Sequence, residues 1–256
     1  MLKVLDLFSG IGGFALGLQQ TGGFETIAFC EIEEYAQRVL RKHWPEVPIH
    51  NDIKELDGEQ YRGSVDVICG GWPCQPFSTA GDRRGESDDR HLWPEFNRLI
   101  SQVEPRWVIG ENVVGHITMG LDQVLSDLEG QGYSIETFVI PACALNAPHR
   151  RDRVWVIANA CGERLQGCAE SGESERACST EQPRSQTSRG NIEALPNRSP
   201  WESESGILRV VDGVSSRVDR LKGLGNAVCP PIVSVIGQAI LKAEAENRAI
   251  EILKGM

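Results

Sequence analysis

Residues 65–78 read VDVICGGWPCQPFS, an apolar run followed by a loop rich in glycine and proline. The β-branched run 65–69 predicts a buried strand, and two glycines let the chain turn after it. The prolines on either side of Cys74 exclude a helix there. Cysteine is often a small buried residue, but these neighbours offer no apolar period to bury it. Cys74 is therefore a candidate reactive thiol at the carboxyl end of a strand, where open α/β sheets bind ligands.

A glycine-rich turn follows the first predicted strand. Residues 3–8 (KVLDLF) predict that strand, and SGIGGFA (9–15) leads into a helix over 14–20. The pattern Gly10-x-Gly12-x-x-Ala15 is typical of turns that bring a ligand to the backbone at a helix N-terminus. A second strand, 26–30, ends at Glu31, about 20 residues after the turn, where an acid commonly binds a ribose hydroxyl. Together these features predict a cofactor that carries a nucleoside.

Two further carboxylates follow predicted strands. Asp52 lies in the loop HNDI (50–53), where it is either a contact to adenine or ribose or a turn aspartate. Glu111 follows a strand predicted over 106–109 and shares a sheet edge with Cys74; it is either functional or a helix-capping or surface charge. Helices are predicted over 34–43, 91–103, 121–128 and 232–250, and strands over 133–140 and 153–157. A chain of 256 residues with these elements suits one α/β domain with a modest appendage.

The amino-acid composition and net charge of the chain limit the functions that it can have. The net charge of −10 argues mildly against nucleic acid, although basic clusters at 149–153 and 217–222 provide local positive faces. No run of about 18 apolar residues predicts a membrane span, and the N-terminus leads directly into a strand rather than a signal peptide. Eight cysteines without paired spacing indicate reduced thiols and a cytoplasmic protein. Cys161, Cys168 and Cys178 lack zinc-ligand spacing, so no metal site is predicted.

Two polar segments interrupt the pattern. Residues 79–90 predict either an active-site loop or a surface loop. Residues 159–206 contain eight glutamates, five arginines and no lysine, and four large apolar side chains. Such a segment cannot bury a core of its own.

Five motifs, in order, resemble those of the DNA cytosine-5 methyltransferases. They are DLFSGIGGF (6–14), GWPCQPFS (71–78), GENV (110–113), RDR (151–153) and GNAV (225–228). The resemblance implies a mostly parallel, doubly wound, Rossmann-like α/β sheet of the S-adenosylmethionine-dependent methyltransferases, with a small target-recognition domain. The implied division is a catalytic and cofactor-binding domain over 1–158, target recognition over 159–208, and a return to the catalytic domain over 209–256. The stretch 209–213 resembles the family's corresponding motif only loosely.

The resemblance also implies S-adenosyl-L-methionine as the cofactor. Phe8 would stack on the adenine, Glu31 would bind the ribose, and Asn226 would close the methionine end. Asp52 and Ile53 would contact the adenine. The remaining implied cofactor residues belong to the glycine turn: Ser9, Gly10, Gly12 and Gly13.

The implied reaction uses four residues. A thiolate at Cys74 would add to carbon 6 of cytosine, and Glu111 would protonate N3. Arg151 and Arg153 would orient the ring carbonyl and the loop. The base that removes the proton at carbon 5 is left open, and water is one candidate. Because the ring must lie between Cys74 and the cofactor, the cytosine must be flipped out of double-stranded DNA.

The expected protein is a cytoplasmic monomer that acts on double-stranded DNA, away from membranes. Its role is restriction-modification, with a separate cognate endonuclease as a candidate partner, or orphan or phage protective methylation. Three alternatives remain at this point: the same chemistry on RNA, a nicotinamide oxidoreductase built on the glycine turn, and a DNA-binding protein without activity. The oxidoreductase does not explain why Cys74, Glu111 and two arginines occur together.

Overall fold

A computed structural model of the chain describes residues 1–73, 92–160 and 223–254, with side chains described up to residue 250. Several predicted features lie outside the described residues. They are Cys74, the segment 79–90, the recognition segment from 161 to 208, the basic cluster 217–222 and the three cysteines Cys161, Cys168 and Cys178.

The described residues form a seven-stranded, mostly parallel sheet. The strands are β1 (Leu2–Leu7), β2 (Phe24–Cys30), β3 (Ile49–His50), β4 (Val67–Gly70), β5 (Trp107–Val113), β6 (Tyr133–Pro141) and β7 (Asp152–Ala160). Their spatial order is β3-β2-β1-β4-β5-β7-β6. The pairs from β3 to β5 are parallel, whereas β7 runs antiparallel to both β5 and β6. The predicted mostly parallel α/β sheet is confirmed.

Helices cover both faces of this sheet. They are α1 (Gly13–Gln19), α2 (Glu34–His43), α3 (Trp93–Val103), α4 (Leu121–Gly130) and α5 (Pro230–Lys254). Successive side chains of a strand point to opposite faces, so both faces of a central parallel strand are apolar. In β1, Leu5 and Leu7 pack in the core that contains α3 and α4, whereas Val4 packs in the core that contains α1 and α5. This double layer fixes the loops at the carboxyl ends of β1, β2 and β4.

Strands β5 and β7 extend three or four residues past their predicted carboxyl ends. The prediction ends β5 at Ile109, but the strand continues to Val113, because β7 pairs with it along its whole length. Glu111 therefore lies within β5, opposite Trp155, rather than in the loop after it. Strand β7 runs to Ala160, so Asn159 and Ala160 belong to the sheet. The length of these strands depends on pairing with antiparallel neighbours that are distant in the sequence. The apolar pattern within one strand therefore does not predict where the strand ends.

The C-terminal helix is apolar enough to meet a membrane-span criterion. Residues Gly223–Ile250 reach a mean hydropathy of 1.6 over an 18-residue window, although polar residues interrupt the run and the sequence predicts no span. Its inner face is packed against α1 through Ile232, Val233 and Ile236. Glu244, which is 5% exposed, pairs with Arg106 and accepts a hydrogen bond from the Trp107 indole at 2.9 Å. These contacts make α5 part of the helical layer over the sheet.

Candidate active site

One cleft of about 680 Å³ lies at the carboxyl ends of β1, β2 and β4. Parallel strands end at the same sheet edge, so the residues that follow them converge there. Among its lining residues are most of the predicted site residues: Phe8, Gly10, Glu31, Asp52, Ile53, Glu111, Arg151, Arg153 and Asn226. The structure therefore brings six of the nine predicted cofactor residues and the predicted acid into one space.

The glycines of the turn have different tasks. Gly10 has φ +53°, and nothing lies within 4 Å of the position that a Cβ would take, so the backbone is open to a ligand there. At Gly12, with φ +88°, a Cβ would stand 2.5 Å from the ring of Trp44. At Gly13 it would stand 2.9 Å from the carbonyl oxygen of Val228. Gly12 and Gly13 thus permit close packing, and neither lines the cleft.

Ser9 supports the turn from inside. Its hydroxyl donates a hydrogen bond to the backbone oxygen of Asp6 at 2.6 Å, and its side chain is 5% exposed. Ser9 does not line the cleft. In the structure Ser9 shapes the turn. Its side chain is not on the lining of the cleft, where the predicted contact with the cofactor would place it.

The Glu31 carboxylate joins two loops. Oε2 accepts a hydrogen bond from the Gly10 amide at 2.6 Å, and Oε1 accepts one from the Glu33 amide at 2.7 Å. Burial raises the pKa of Glu31, and these two amides oppose the rise. Each carboxylate oxygen has two lone pairs, so both can accept a further hydrogen bond from a ribose hydroxyl. Glu31 thereby holds the glycine turn and presents an acceptor to the cleft.

An apolar wall lines one side of the cleft. Phe8 adopts φ +53°, which is uncommon for a residue with a side chain, and its ring meets Phe96 edge-on at 6.2 Å. Ile53 is 4% exposed within the core beneath the cleft. Asp52 accepts a hydrogen bond from the Lys54 amide at 2.9 Å, so it is a turn aspartate that also faces the cleft. The reading of Asp52 as a turn aspartate is confirmed, and its contact to adenine or ribose stays a prediction. Ile32 adds an exposed apolar side chain that the sequence reasoning missed.

Glu111 forms a buried ion pair with Arg153. The Arg153 Nε atom lies 2.9 Å from Glu111 Oε1, and the two side chains are 20% and 11% exposed. Burial raises the pKa of Glu111 above its usual range, while the charges of Arg153 and Arg151 and the hydrogen bond from Arg153 partly offset the rise. Burial thus favours the protonated form of Glu111 and the two arginines favour its charged form, so this carboxyl holds a proton at a higher pH than an exposed glutamate does.

An aromatic cluster holds the segment that leads to Cys74. The ring of Trp72 lies 4.9 Å from Trp93 and 5.4 Å from His116. The Asn112 side-chain amide donates a hydrogen bond to the Trp72 carbonyl at 3.2 Å. A Cβ at Gly110 would stand 2.8 Å from the Trp72 ring, so this glycine makes room for it. The sequence reasoning quoted Asn112 and Trp72 within motifs but gave them no role; tertiary contacts supply one.

Arg151 binds the backbone of the C-terminal motif, a contact that the sequence reasoning did not predict. Its Nη2 atom donates hydrogen bonds to the backbone oxygens of Gly225, at 2.9 Å, and Ala227, at 2.8 Å. Burial lowers the pKa of Arg151, and the neighbouring charge of Arg153 acts in the same direction. The two arginines of the RDR motif therefore divide their tasks: Arg153 contacts the acid, and Arg151 contacts the C-terminal motif around Asn226.

Asp6 is a buried carboxyl that the sequence reasoning passed over. It is completely buried at the end of β1, near the Ala15 amide and the Cys69 thiol. Burial raises its pKa to about 8. The signal that could have revealed it is a charged residue inside an otherwise apolar central strand, since carboxylates are rarely fully buried without a partner. Among residues 1–73, 92–160 and 223–254, no group of three metal-binding side chains occurs.

Comparison with known proteins gives one family. The sequence model described as C-5 cytosine-specific DNA methylase matches residues 2–209. The chain is 36% identical over 162 residues to the Type II methyltransferase M.Eco47II of Escherichia coli, covering 60% of this chain and 39% of that protein. It is 37% identical over 170 residues to M2.BsuMI of Bacillus subtilis, covering 62% and 42%. The chain thus spans roughly two fifths of the length of these relatives.

Solved structures agree on the fold. A DNMT2 mutant from Spodoptera frugiperda matches with a TM-score of 0.56 and 25% identity, covering 62% of this chain and 50% of that one. The Dnmt2 methyltransferase of S. pombe matches with a TM-score of 0.55 at 22% identity, covering 62% and 51%, which supports the fold alone.

Proposed function

Because the chain belongs to the C-5 cytosine-specific DNA methylase family, we propose that it methylates carbon 5 of cytosine in double-stranded DNA, with S-adenosylmethionine as the methyl donor. The observation that carries the proposal is the shared cleft. It joins Glu31 and the open backbone at Gly10 to the buried pair of Glu111 and Arg153. A methyltransferase must hold its methyl donor and the methyl acceptor together in one water-poor space. This cleft contains residues suited to each of them.

The cleft fits the cofactor. The backbone at Gly10 leaves open the space that a side chain would fill, and Glu31 has lone pairs for ribose hydroxyls. Phe8 and Ile53 offer an apolar wall for the adenine, and Asn226 lies on the lining at the C-terminal side. When bound, S-adenosylmethionine supplies the electrophilic methyl group that carbon 5 takes up.

The protein's part in the chemistry is to make carbon 5 nucleophilic. The Cys74 thiolate forms a bond to carbon 6 of the cytosine, and its electron pair moves through the ring towards N3. Glu111, held by Arg153, donates a proton to N3 and so stabilises the electron-rich adduct. After methylation, a base takes the proton from carbon 5, the Cys74–carbon 6 bond breaks to release the thiolate, and N3 returns its proton to the Glu111 carboxylate, which restores the aromatic ring. The role of Cys74 rests on its sequence motif.

Access to the base requires a flipped cytosine. Neither face of a base inside a duplex is open, so the cytosine must leave the stack to reach Cys74 and Glu111. Residues 161–208 are proposed to select the target sequence, because arginine without lysine suits bidentate readout of guanine edges. Like the Type II methyltransferases that it resembles, the protein is proposed to act in the cytoplasm in restriction-modification or a related protective role, as a monomer apart from any cognate nuclease.

Conversion sequencing of host DNA after expression tests this proposal. The wild-type chain should produce 5-methylcytosine at a defined sequence, and Cys74→Ser should produce none, because a hydroxyl is a far weaker nucleophile than a thiolate. Calorimetry should show that the Ser variant still binds S-adenosylmethionine, since the contacts of Gly10 and Glu31 do not involve the thiol. NADH should not bind.

A second arm traps the adduct and identifies the substrate. DNA with 5-fluorocytosine at the target should form a covalent complex with the wild-type chain, since elimination needs a removable proton at carbon 5. Equal adduct formation by Cys74→Ser would exclude Cys74 as the nucleophile. If the protein methylates RNA but not DNA, the proposed DNA substrate is wrong and RNA is the substrate.

A further inference from the structure

We propose that Arg151 is a positioning residue for cofactor binding, which it serves by holding the segment 225–228 over the cleft. The inference rests on the proposed function, since it assigns Asn226 to the cofactor. The resemblance assigns the ring carbonyl and the loop to Arg151 and Arg153 together, and the inference gives Arg151 a task of its own. The link joins the RDR motif to a segment 74 residues away in the chain.

The geometry of the contact points to the segment rather than to the base. One guanidinium nitrogen of Arg151 binds the carbonyl oxygens of Gly225 and Ala227, the two residues that flank Asn226. Hydrogen bonds from a charged donor are about twice as strong as neutral ones. Asn226 itself lines the cleft, although its side chain is exposed. Two carbonyls held on either side of a residue fix the direction in which that residue points.

The other end of the segment is also held. The Val228 carbonyl oxygen lies against Gly13, where an added Cβ would stand 2.9 Å from it. The segment therefore lies between the glycine turn and the Arg151 guanidinium. Loss of either support would leave Asn226 less firmly held, and ligand binding would then carry the entropy of ordering the segment.

The backbone of Arg151 supports a specific positional role. Its φ of +39° lies in the left-handed region, which is unfavourable for a residue with a side chain. Such conformations persist where surrounding contacts determine them, and they cluster at ligand sites. Arg153, in contrast, has an extended strand position and pairs with Glu111. Glu111 therefore keeps its ion pair with Arg153 when Arg151 is replaced.

Calorimetry of S-adenosylmethionine binding to the full chain, without DNA, tests the inference. Arg151→Gln should weaken binding by about tenfold or more, as expected for lost charge-assisted hydrogen bonds that order a binding segment. The matched control is Arg150→Gln. Arg150 is an exposed neighbour paired with Asp152, so its loss changes the same charge without touching the segment, and affinity should stay within about twofold.

A double-mutant cycle separates positioning from unrelated damage. If Arg151 acts through Asn226, then Arg151→Gln combined with Asn226→Ala should weaken binding little more than the stronger single change, because both remove one interaction. Additive losses would show that Arg151 acts elsewhere. Circular-dichroism melting without cofactor checks folding, and Arg151→Lys, which keeps the charge without the planar fork, serves as the second variant if the Gln variant does not fold.

Kinetics distinguish this role from contact with the base. A positioning role predicts a raised KM for S-adenosylmethionine with kcat at saturating cofactor within about threefold of wild type. A lower kcat with unchanged cofactor affinity would overturn the inference and return Arg151 to the cytosine. Wild-type affinity in both Arg151 variants would also overturn it. A wild-type chain that binds no S-adenosylmethionine would instead overturn the proposed function.

Discussion

Replacement of Glu111 by glutamine removes a proton donor while keeping its size. Glu111 is buried, and its Oε1 atom lies 2.9 Å from Arg153 Nε. A glutamine oxygen can still accept that hydrogen bond, and its amide can still donate one to N3 of the cytosine. The variant therefore keeps base binding largely intact and loses only the transfer of a proton.

The magnitude follows from the role of the acid. Positioned general acids contribute about 100-fold to 10,000-fold, so the single-turnover rate of Glu111→Gln should fall by about 100-fold or more, equal to about 3 kcal/mol of transition-state stabilisation. DNA affinity should change by much less. The pH dependence should change as well. Burial raises the pKa of Glu111, and the wild-type rate must fall as pH rises through it because the acid loses its proton.

Rapid-quench single-turnover methylation measures this rate without product release. The assay runs from pH 6 to 9 with saturating S-adenosylmethionine, and Glu136→Gln, an exposed glutamate on β6, is the matched control. The Gln variant at position 111 should lack the falling limb at high pH. A Glu111→Gln rate within about threefold of wild type, or an unchanged high-pH limb, would refute its assignment as the acid.

Three further outcomes are expected. Gly10→Ala should weaken S-adenosylmethionine binding in calorimetry, whereas the control Gly22→Ala should not. Both glycines have a positive φ and open space around them, but only Gly10 lines the cleft. Equal effects of the two substitutions would contradict this prediction. Asp6 has a folded pKa of about 8 against an ordinary 3.8, so the folded chain keeps a proton that the unfolded chain loses. Urea unfolding should therefore show wild type and the exposed control Asp122→Asn losing stability from pH 5 to 8, whereas Asp6→Asn should be flatter. Deletion of 166–200 should keep cofactor binding and abolish methylation at the specific site; unchanged sites in conversion sequencing would make the segment a linker.

Local patterning was sufficient for most elements of the sheet. Helix α2 begins and ends at the predicted residues Glu34 and His43, and the strands β1 and β2 differ from prediction only at their ends. These elements have strong periodicity and clear breakers, which act over a few residues. The convergence of Glu31 and Glu111 on one edge was also predictable, because parallel strands present their carboxyl ends together.

Pairing across the sheet was less predictable. The antiparallel β7 between β5 and β6 lengthens β5 past Ile109, and no short-range signal marks where such a partner lies. Likewise Gly12 matches a ligand-binding pattern, yet the ring of Trp44 occupies the space beside it. A glycine pattern indicates that a side chain would not fit at that position. It does not show whether a ligand or another part of the protein occupies the space.

The sequence by itself determined the α/β alternation, the glycine turn and the residue types for the proposed chemistry, since these depend on steric preferences and functional groups within short stretches. Only the tertiary structure decided the state and partners of those groups. Burial raises the pKa of Glu111, and Arg151 donates hydrogen bonds to the backbone of Gly225 and Ala227. Desolvation and contacts between distant segments depend on which elements pack together, and that is a property of the whole fold.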